Sequence, residues 1–205
     1  SPARRCYPTA SRRLDFGLAL TQRLKNLAKS TRGRAVRVGI VSMYDVENNA
    51  VRILAAHLRA EGHHVTEIYF KDWISNHLFP ATDTEHANLV GVIQEDQLDL
   101  LCVSIRASAY CNSARFLTEA VQERLPELPV LWGGMHPTLV PHECIEDCDI
   151  VLKGEGELAL NDLMNRLREG KDISDTPNLL LRDAQGGVVD NDLRPLVKDL
   201  DTLLF

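Results

Sequence analysis

The chain has 205 residues, 44% hydrophobic and 25% charged, the composition of an ordinary globular protein. At that length a chain buries roughly two-thirds or more of its unfolded surface, so neither disulfide nor metal is needed to hold it together. The net charge of −6 divides unevenly: residues 1–37 carry ten Arg or Lys against the single acid Asp15, and the remainder is net −15, which disfavours nucleic acid as a partner of the main body.

The basic stretch reads as a solvated helix beside an acidic neighbour, with RNA or an anionic surface as its alternative contact. Five cysteines, Cys6, Cys102, Cys111, Cys144 and Cys148, are odd in number and lack framework spacing, which points to free thiols in a reducing, cytoplasmic setting. No apolar run approaches the roughly 20 residues of a membrane span, and the Arg-rich start lacks the apolar core of a secretory signal.

In chain order, Leu14, Leu18, Leu20, Leu24 and Leu27 recur at near-helical spacing, with Ser11 as cap and a break at 31–34. The period then changes. Residues 36–41 are β-branched, a strand buried on both faces. A helix over 47–61, with Val51, Leu54, Ala55 and Leu58 on one stripe, ends at Gly62. Strands are predicted at 65–69, 99–104, 129–132 and 149–152, and helices at 83–95, 112–125 and 155–169, the last with Leu158, Leu160, Leu163 and Leu167 inward. Runs 178–182 and 188–190 around Gly186-Gly187 read as a hairpin, and a polar tail follows from Leu193. Five strands alternating with helices give an α/β doubly wound parallel sheet, Rossmann-like with the flavodoxin order 2-1-3-4-5.

Ligands of such sheets sit beyond the carboxyl ends of the strands. After the first strand, Ser42, Met43, Tyr44, Asp45, Glu47 and Asn48 form a polar loop without glycine, so it is neither a P-loop nor a dinucleotide fingerprint, and flavin mononucleotide is disfavoured. The loop is a ligand contact or a plain helix cap. After the third strand, Ser104, Ile105, Arg106, Ser108 and Tyr110 combine small hydroxylated residues with a charge, leaving room for a bulky ligand. A response-regulator receiver would need an acidic phosphoacceptor where Ser104 stands. After the fourth, Gly133 and Gly134 permit positive φ and close approach, with His136 and Pro137 immediately following. After the fifth, Gly154, Glu155 and Gly156 place a carboxylate at a helix N-terminus, as ligand contact or cap.

Taken in order, Gly133-Gly134-Met135-His136-Pro137-Thr138, Pro141-His142-Glu143 and Asp149-Ile150-Val151-Leu152-Lys153-Gly154-Glu155-Gly156-Glu157 resemble the cobalamin-binding N-terminal domain of cobalamin-dependent radical-SAM enzymes. The likeness runs over about 36–205. Pro177 to Arg182, Arg194-Pro195 and Asp199 to Leu203 are similar to the connector these proteins place before their barrel. The resemblance implies cobalamin at the carboxyl edge, its nucleotide tail near Ser104 and Gly133-Gly134, and the eighteen rim residues named above as cofactor contacts. It implies a C-terminal radical-SAM barrel as partner, holding a 4Fe-4S cluster and S-adenosylmethionine for methyl transfer or related radical chemistry. The chain then divides into a basic helical extension (1–35), a cobalamin-binding domain (36–170) and a hairpin with connector (171–205).

Two departures matter. Cobalamin carriers that ligate cobalt use Asp-x-His-x-x-Gly after the first strand, whereas Asp45-Val46-Glu47-Asn48-Asn49-Ala50 has neither the His nor the Gly. The expectation is a cobalt without a protein imidazole, its lower face covered by the loop at Ile105 and Arg106. The second concerns the cluster motif Cys-x-x-x-Cys-x-x-Cys. Cys144 and Cys148 have its first spacing, but Val151 stands third, so no catalytic or metal-ligating residue is expected in this chain. His57, His63 and His64 are placed away from the rim, and His136 is read as a positioning hydrogen bonder. The alternatives are a non-catalytic cobalamin carrier or sensor, and a scaffold that has lost cobalamin.

Overall fold

The computed structural model describes residues 22–72, 79–183 and 185–204. The expected cap at Ser11 and part of the 71–81 stretch lie outside them. Seven strands form one sheet: β1 (Arg37–Met43), β2 (His64–Phe70), β3 (Leu100–Ser104), β4 (Val130–Gly133), β5 (Ile150–Leu152), β6 (Leu179–Arg182) and β7 (Val188–Asp190). Their order is β2-β1-β3-β4-β5-β6-β7. The first five are parallel in the expected order, and the hairpin β6-β7 continues the same sheet antiparallel to β5. Leu179, Leu180 and Leu181 are buried, so the hairpin closes the sheet edge instead of standing apart from it.

Helix α1 covers 22–31 of the described residues. The others are α2 (Asn49–Ala60), α3 (Asp83–Glu95), α4 (Cys111–Arg124), the short α5 (Met135–Leu139) and α6 (Pro141–Cys144), and α7 (Glu157–Glu169). Strand alternation sorts the core into two layers. Val38, Ile40, Leu100, Cys102, Leu131, Ile150 and Leu152 face α1, α2 and α7. Val41, Leu101, Val103, Val130, Trp132 and Val151 face α3 and α4. In α7, Leu160, Leu163, Met164 and Leu167 are buried, whereas Leu158 is 48% exposed. At 3.6 residues per turn Leu158 lies about 200° around the helix from Leu160, so both cannot point inward. The residues after β4, read from sequence as loop, contain α5 and α6.

Helix α1 is part of the core. Leu24 and Leu27 are buried against the first layer, each contributing about 1.5–3 kcal/mol. The Arg23 guanidinium reaches Asp149 at 3.0 Å and the Pro126 carbonyl at 3.2 Å. The other Asp149 oxygen accepts from the Val130 amide at 2.7 Å. Burial pushes the Asp149 carboxyl above its ordinary range, while Arg23 and the Val130 amide pull it back. A charge so enclosed depends on its counterion. Arg23→Ala is therefore expected to cost about 3–5 kcal/mol of stability, read as a lower urea midpoint at unchanged slope.

Candidate functional site

The sheet changes direction of winding between β1 and β3. Helix α2, after β1, covers one face, and α4, after β3, the other. At such a switch the loops diverge, and the crevice in which sheets of this kind bind ligands lies at the carboxyl edge. Its floor is set by register: Ser42 pairs with Ser104, and Ser104 with Gly133, so three adjacent strands carry small residues at or next to their ends on the α2 and α7 face.

This floor is polar and tied together. The Asn48 side chain caps α2 by accepting from the Val51 amide at 3.2 Å. Its amide nitrogen donates to the hydroxyls of Ser42 (3.0 Å) and Ser104 (3.2 Å), and the Ser42 hydroxyl donates to the Asp45 carbonyl at 2.7 Å. A cap that also spans two strand ends explains why a loop without glycine can turn so sharply. Asp45 is nearly buried and pairs with Arg106 at 3.1 Å, the Arg106 side chain being 60% exposed. Glu47 is exposed beside them.

The two glycines after β4 serve different ends. Gly134 has φ +104, and a Cβ there would lie 2.9 Å from the Ile105 carbonyl oxygen. The loops after β3 and β4 are joined at this point by Ile105 N to Gly133 O (2.8 Å) and His136 N to Ile105 O (3.1 Å). Gly134 is thus required by the protein's own backbone. At Gly133 an added Cβ would meet nothing nearer than 3.9 Å. That is ordinary van der Waals distance, so a methyl group would fit at Gly133 without displacing a neighbour.

His136 is half-buried, with Nδ1 3.0 Å from the Ser108 hydroxyl, and Pro137 packs inward beneath it. Beside them Met135 and Leu139, one turn apart on α5, are 62% and 71% exposed.

Not every predicted residue reaches the crevice. Met43, Tyr44, Ile105 and Tyr110 are buried in the second layer. The Tyr44 and Tyr110 rings stack at 5.4 Å, and the Tyr44 hydroxyl accepts from the Ala81 amide at 3.0 Å. Tyr44 sits at φ +56, which turns its ring down into the core as the chain leaves β1. Gly156 permits the packing of α7 on α2, a Cβ there lying 3.2 Å from Leu54. The Glu155 carboxylate accepts from the Val197 amide at 2.7 Å, so it grips the connector. Gly154 (φ +71) packs against Asn178 and Leu193.

Two participants escaped the sequence reading. The Thr138 hydroxyl donates to Gly134 O (2.8 Å) and accepts from Gly154 N (2.9 Å), joining the loops after β4 and β5. Asn178, in left-handed geometry (φ +71), ties the Lys153 carbonyl (2.7 Å) to the Arg194 amide (3.0 Å). The available signal was an Asn, which tolerates the left-handed region, directly after Pro177.

Cys144 and Cys148 are buried, and Cys148 donates to the carbonyls of Cys144 and Ile150, each at 3.3 Å. Burial pushes the Cys144 thiol up to about 12 and that of Cys148 well above its ordinary value, the mark of structural thiols. Among the described residues, no three His, Cys, Asp or Glu side chains are grouped to hold a metal, and no helix is long and apolar enough to cross a membrane. A cleft of about 440 Å³ lies at the opposite, amino edge of the sheet, lined by Arg23, Leu27, Leu98, Pro126 and Leu128 among others. It belongs to the packing of α1.

Comparison with known proteins agrees with the geometry. The chain is 31% identical over 126 residues to the anaerobic magnesium-protoporphyrin IX monomethyl ester cyclase of Synechocystis, a match covering 60% of this chain and 24% of that one. It is 24% identical over 127 residues to an uncharacterized methyltransferase of Pyrococcus horikoshii, covering 60% and 27%. It thus spans about a quarter of the length of these curated relatives. Among solved structures, the radical S-adenosylmethionine methyltransferase TsrM from Kitasatospora setae, with cobalamin and a 4Fe-4S cluster bound, superposes with TM-score 0.61 at 19% identity, over 83% of this chain and 31% of that one. The cobalamin-dependent S-adenosylmethionine radical enzyme OxsB, with aqua-cobalamin bound, gives TM-score 0.64 at 17% identity, over 79% and 23%. At these identities the likeness is one of fold. The B12 binding domain model matches residues 36–164, well over half of the chain, and on that match, with this sheet and this crevice, the chain belongs to the B12 binding domain family.

Proposed function

We propose that the crevice at the carboxyl edge binds a cobalamin-type corrinoid, its nucleotide tail entering over Ser42, Ser104 and Gly133 and its ring lying across the loops after β3 and β4. The observation that carries this reading is the row of small residues Ser42, Ser104 and Gly133 on three adjacent strands, with no close contact at Gly133. A flat ring with a descending tail needs such a floor of small residues; Ser42 and Asn48 are buried and hold the floor in place, and the half-buried Ser104 is the polar partner it offers the tail. Ser108 and His136 are placed to meet the ring's amide groups. When bound, a corrinoid supplies a cobalt centre able to carry a methyl group.

Of the lower face we propose that it receives no protein imidazole. The loop after β1 has no histidine, and its Asp45 is turned onto Arg106. Where a carrier's histidine would stand this chain has the exposed Glu47, and the pairing with Asp45 holds Arg106 at the rim. The relatives are longer chains, and we assign a 4Fe-4S cluster, S-adenosylmethionine and methyl transfer or related radical chemistry to a further domain of such a protein. This module would hold and orient the corrinoid, with the apolar side chains of Met135 and Leu139 beside it.

Titration with hydroxocobalamin is expected to give a coloured complex that co-elutes with the chain. After reduction to the cobalt(II) form, its paramagnetic resonance spectrum should lack splitting from a protein nitrogen. Uptake failing at any concentration, or such splitting appearing, overturns the respective part of the reading.

The two glycines separate site from fold. Gly133→Leu is expected to fold as the wild type yet bind at least about tenfold more weakly, a loss of about 1.4 kcal/mol or more. Gly134→Ala, forced to positive φ against Ile105, should instead lose about 1–3 kcal/mol of stability in urea unfolding. Wild-type affinity in a folded Gly133→Leu would refute the placement of the tail.

A further inference from the structure

The loop after β5 carries Glu155, which grips the connector, and it is also bonded to the rim. From the rim outward the links are continuous: Gly134 O to the Thr138 hydroxyl, that hydroxyl to Gly154 N, and the neighbouring Glu155 carboxylate to Val197 N. Asn178 makes a parallel link from the Lys153 carbonyl to Arg194 N.

The connector is held by polar contacts rather than by burial. Over 193–204 no residue is buried, and only Arg194, Val197 and Leu203 are even half-covered. Leu193, Leu196 and Leu200 are largely exposed. What fixes the segment is the Val197 contact, an ion pair from Arg194 to Asp162 on α7, and the Leu204 amide donating to His57 Nε2 on α2 at 2.9 Å. A cavity of about 30 Å³, lined by Glu155, Leu158, Asn178, Leu193, Leu196 and Val197 among others, remains beneath it. That is about the room one water takes in the liquid. A segment with few apolar contacts and a gap below it belongs to the least stable part of a fold, the part that local opening releases first.

We infer that residues 193–204 form a strap whose docking is coupled to occupancy of the rim through Thr138 and Glu155. The inference rests on the corrinoid reading of the rim. A ligand seated on Gly133, Gly134 and His136 restrains the loop after β4 and with it the Thr138 hydroxyl. Gly154 N is then held, and Glu155 meets Val197 with less conformational freedom left to lose. The strap leaves the domain along α2 and α7, the helices that wall the crevice. Its order therefore reports ligand occupancy.

The test is amide hydrogen exchange of the 205-residue chain, read at Val197 by NMR, free and saturated with hydroxocobalamin. Saturation is expected to slow Val197 exchange about tenfold, within the usual span of coupling between sites. Thr138→Val, which keeps the volume and removes the hydroxyl, should abolish that slowing. Glu155→Gln should speed Val197 exchange in both states. Val41 and Val103, in core strands, control for general loosening. Should Thr138→Val disturb them, Thr138→Ser must restore both their protection and the coupling.

The inference falls if a loaded wild-type chain shows unaltered Val197 exchange, if Thr138→Val retains the full slowing, or if Thr138→Ser restores neither. Loading is read separately from the visible spectrum. A chain that takes up no corrinoid sinks the proposed function and the coupling together, whereas a loaded chain with an indifferent strap sinks the coupling alone.

Discussion

The backbone of Ile105 and the backbone of Gly134 meet so closely that only a hydrogen atom fits between them. Most of the carboxyl rim is arranged by that contact. It welds the loop after β3 to the loop after β4 through two main-chain hydrogen bonds, sends Ile105 down into the core, and leaves Arg106 above it at the surface. Once these loops are locked together, His136 is brought within hydrogen-bond reach of Ser108, and the short helix α5 is forced to start at the rim with Met135 and Leu139 facing outward.

Next to this weld the sheet provides a floor and a counter-wall. Parallel pairing puts residues of matching register onto one face, so Ser42, Ser104 and Gly133 become a row although they are up to 91 residues apart in the sequence. Asn48 then does three things at once, capping α2 and bridging both serines, which holds the β1 loop upright without any glycine. The same stiffness turns Asp45 toward Arg106. A rim organised in this way has its recognition groups paired before any ligand arrives, and preorganisation of that kind lowers the ordering cost of binding.

The segments on either side of the family's own span are anchored at opposite ends of the sheet. Helix α1 is held at the amino edge by Arg23 on Asp149 and by two buried leucines, so it behaves as core. The connector is held at the carboxyl edge by Glu155, Asn178 and Asp162, with hardly any apolar burial. One tether is costly to open and the other is not. The connector's anchors are Glu155 in the loop after β5, Asn178 before β6, Asp162 on α7 and His57 on α2.

Much of this was legible in the residues themselves. Alternation of β-branched runs with helical stripes is a local property, and five of them in succession, ordered by right-handed crossover, determined the doubly wound sheet, its strand order and the edge at which a ligand belongs. The glycine pair, the Gly154-Glu155-Gly156 loop and the missing histidine after β1 were likewise visible by inspection. What the sequence could not decide were the relations between loops. Which glycine is demanded by the protein's backbone and which has no close contact, whether Tyr44 and Tyr110 face a ligand or each other, and whether Glu155 serves a cofactor or a connector all depend on distances between segments tens of residues apart. Those distances exist only once the sheet has set the loops side by side, and side-chain type alone carries no information about them.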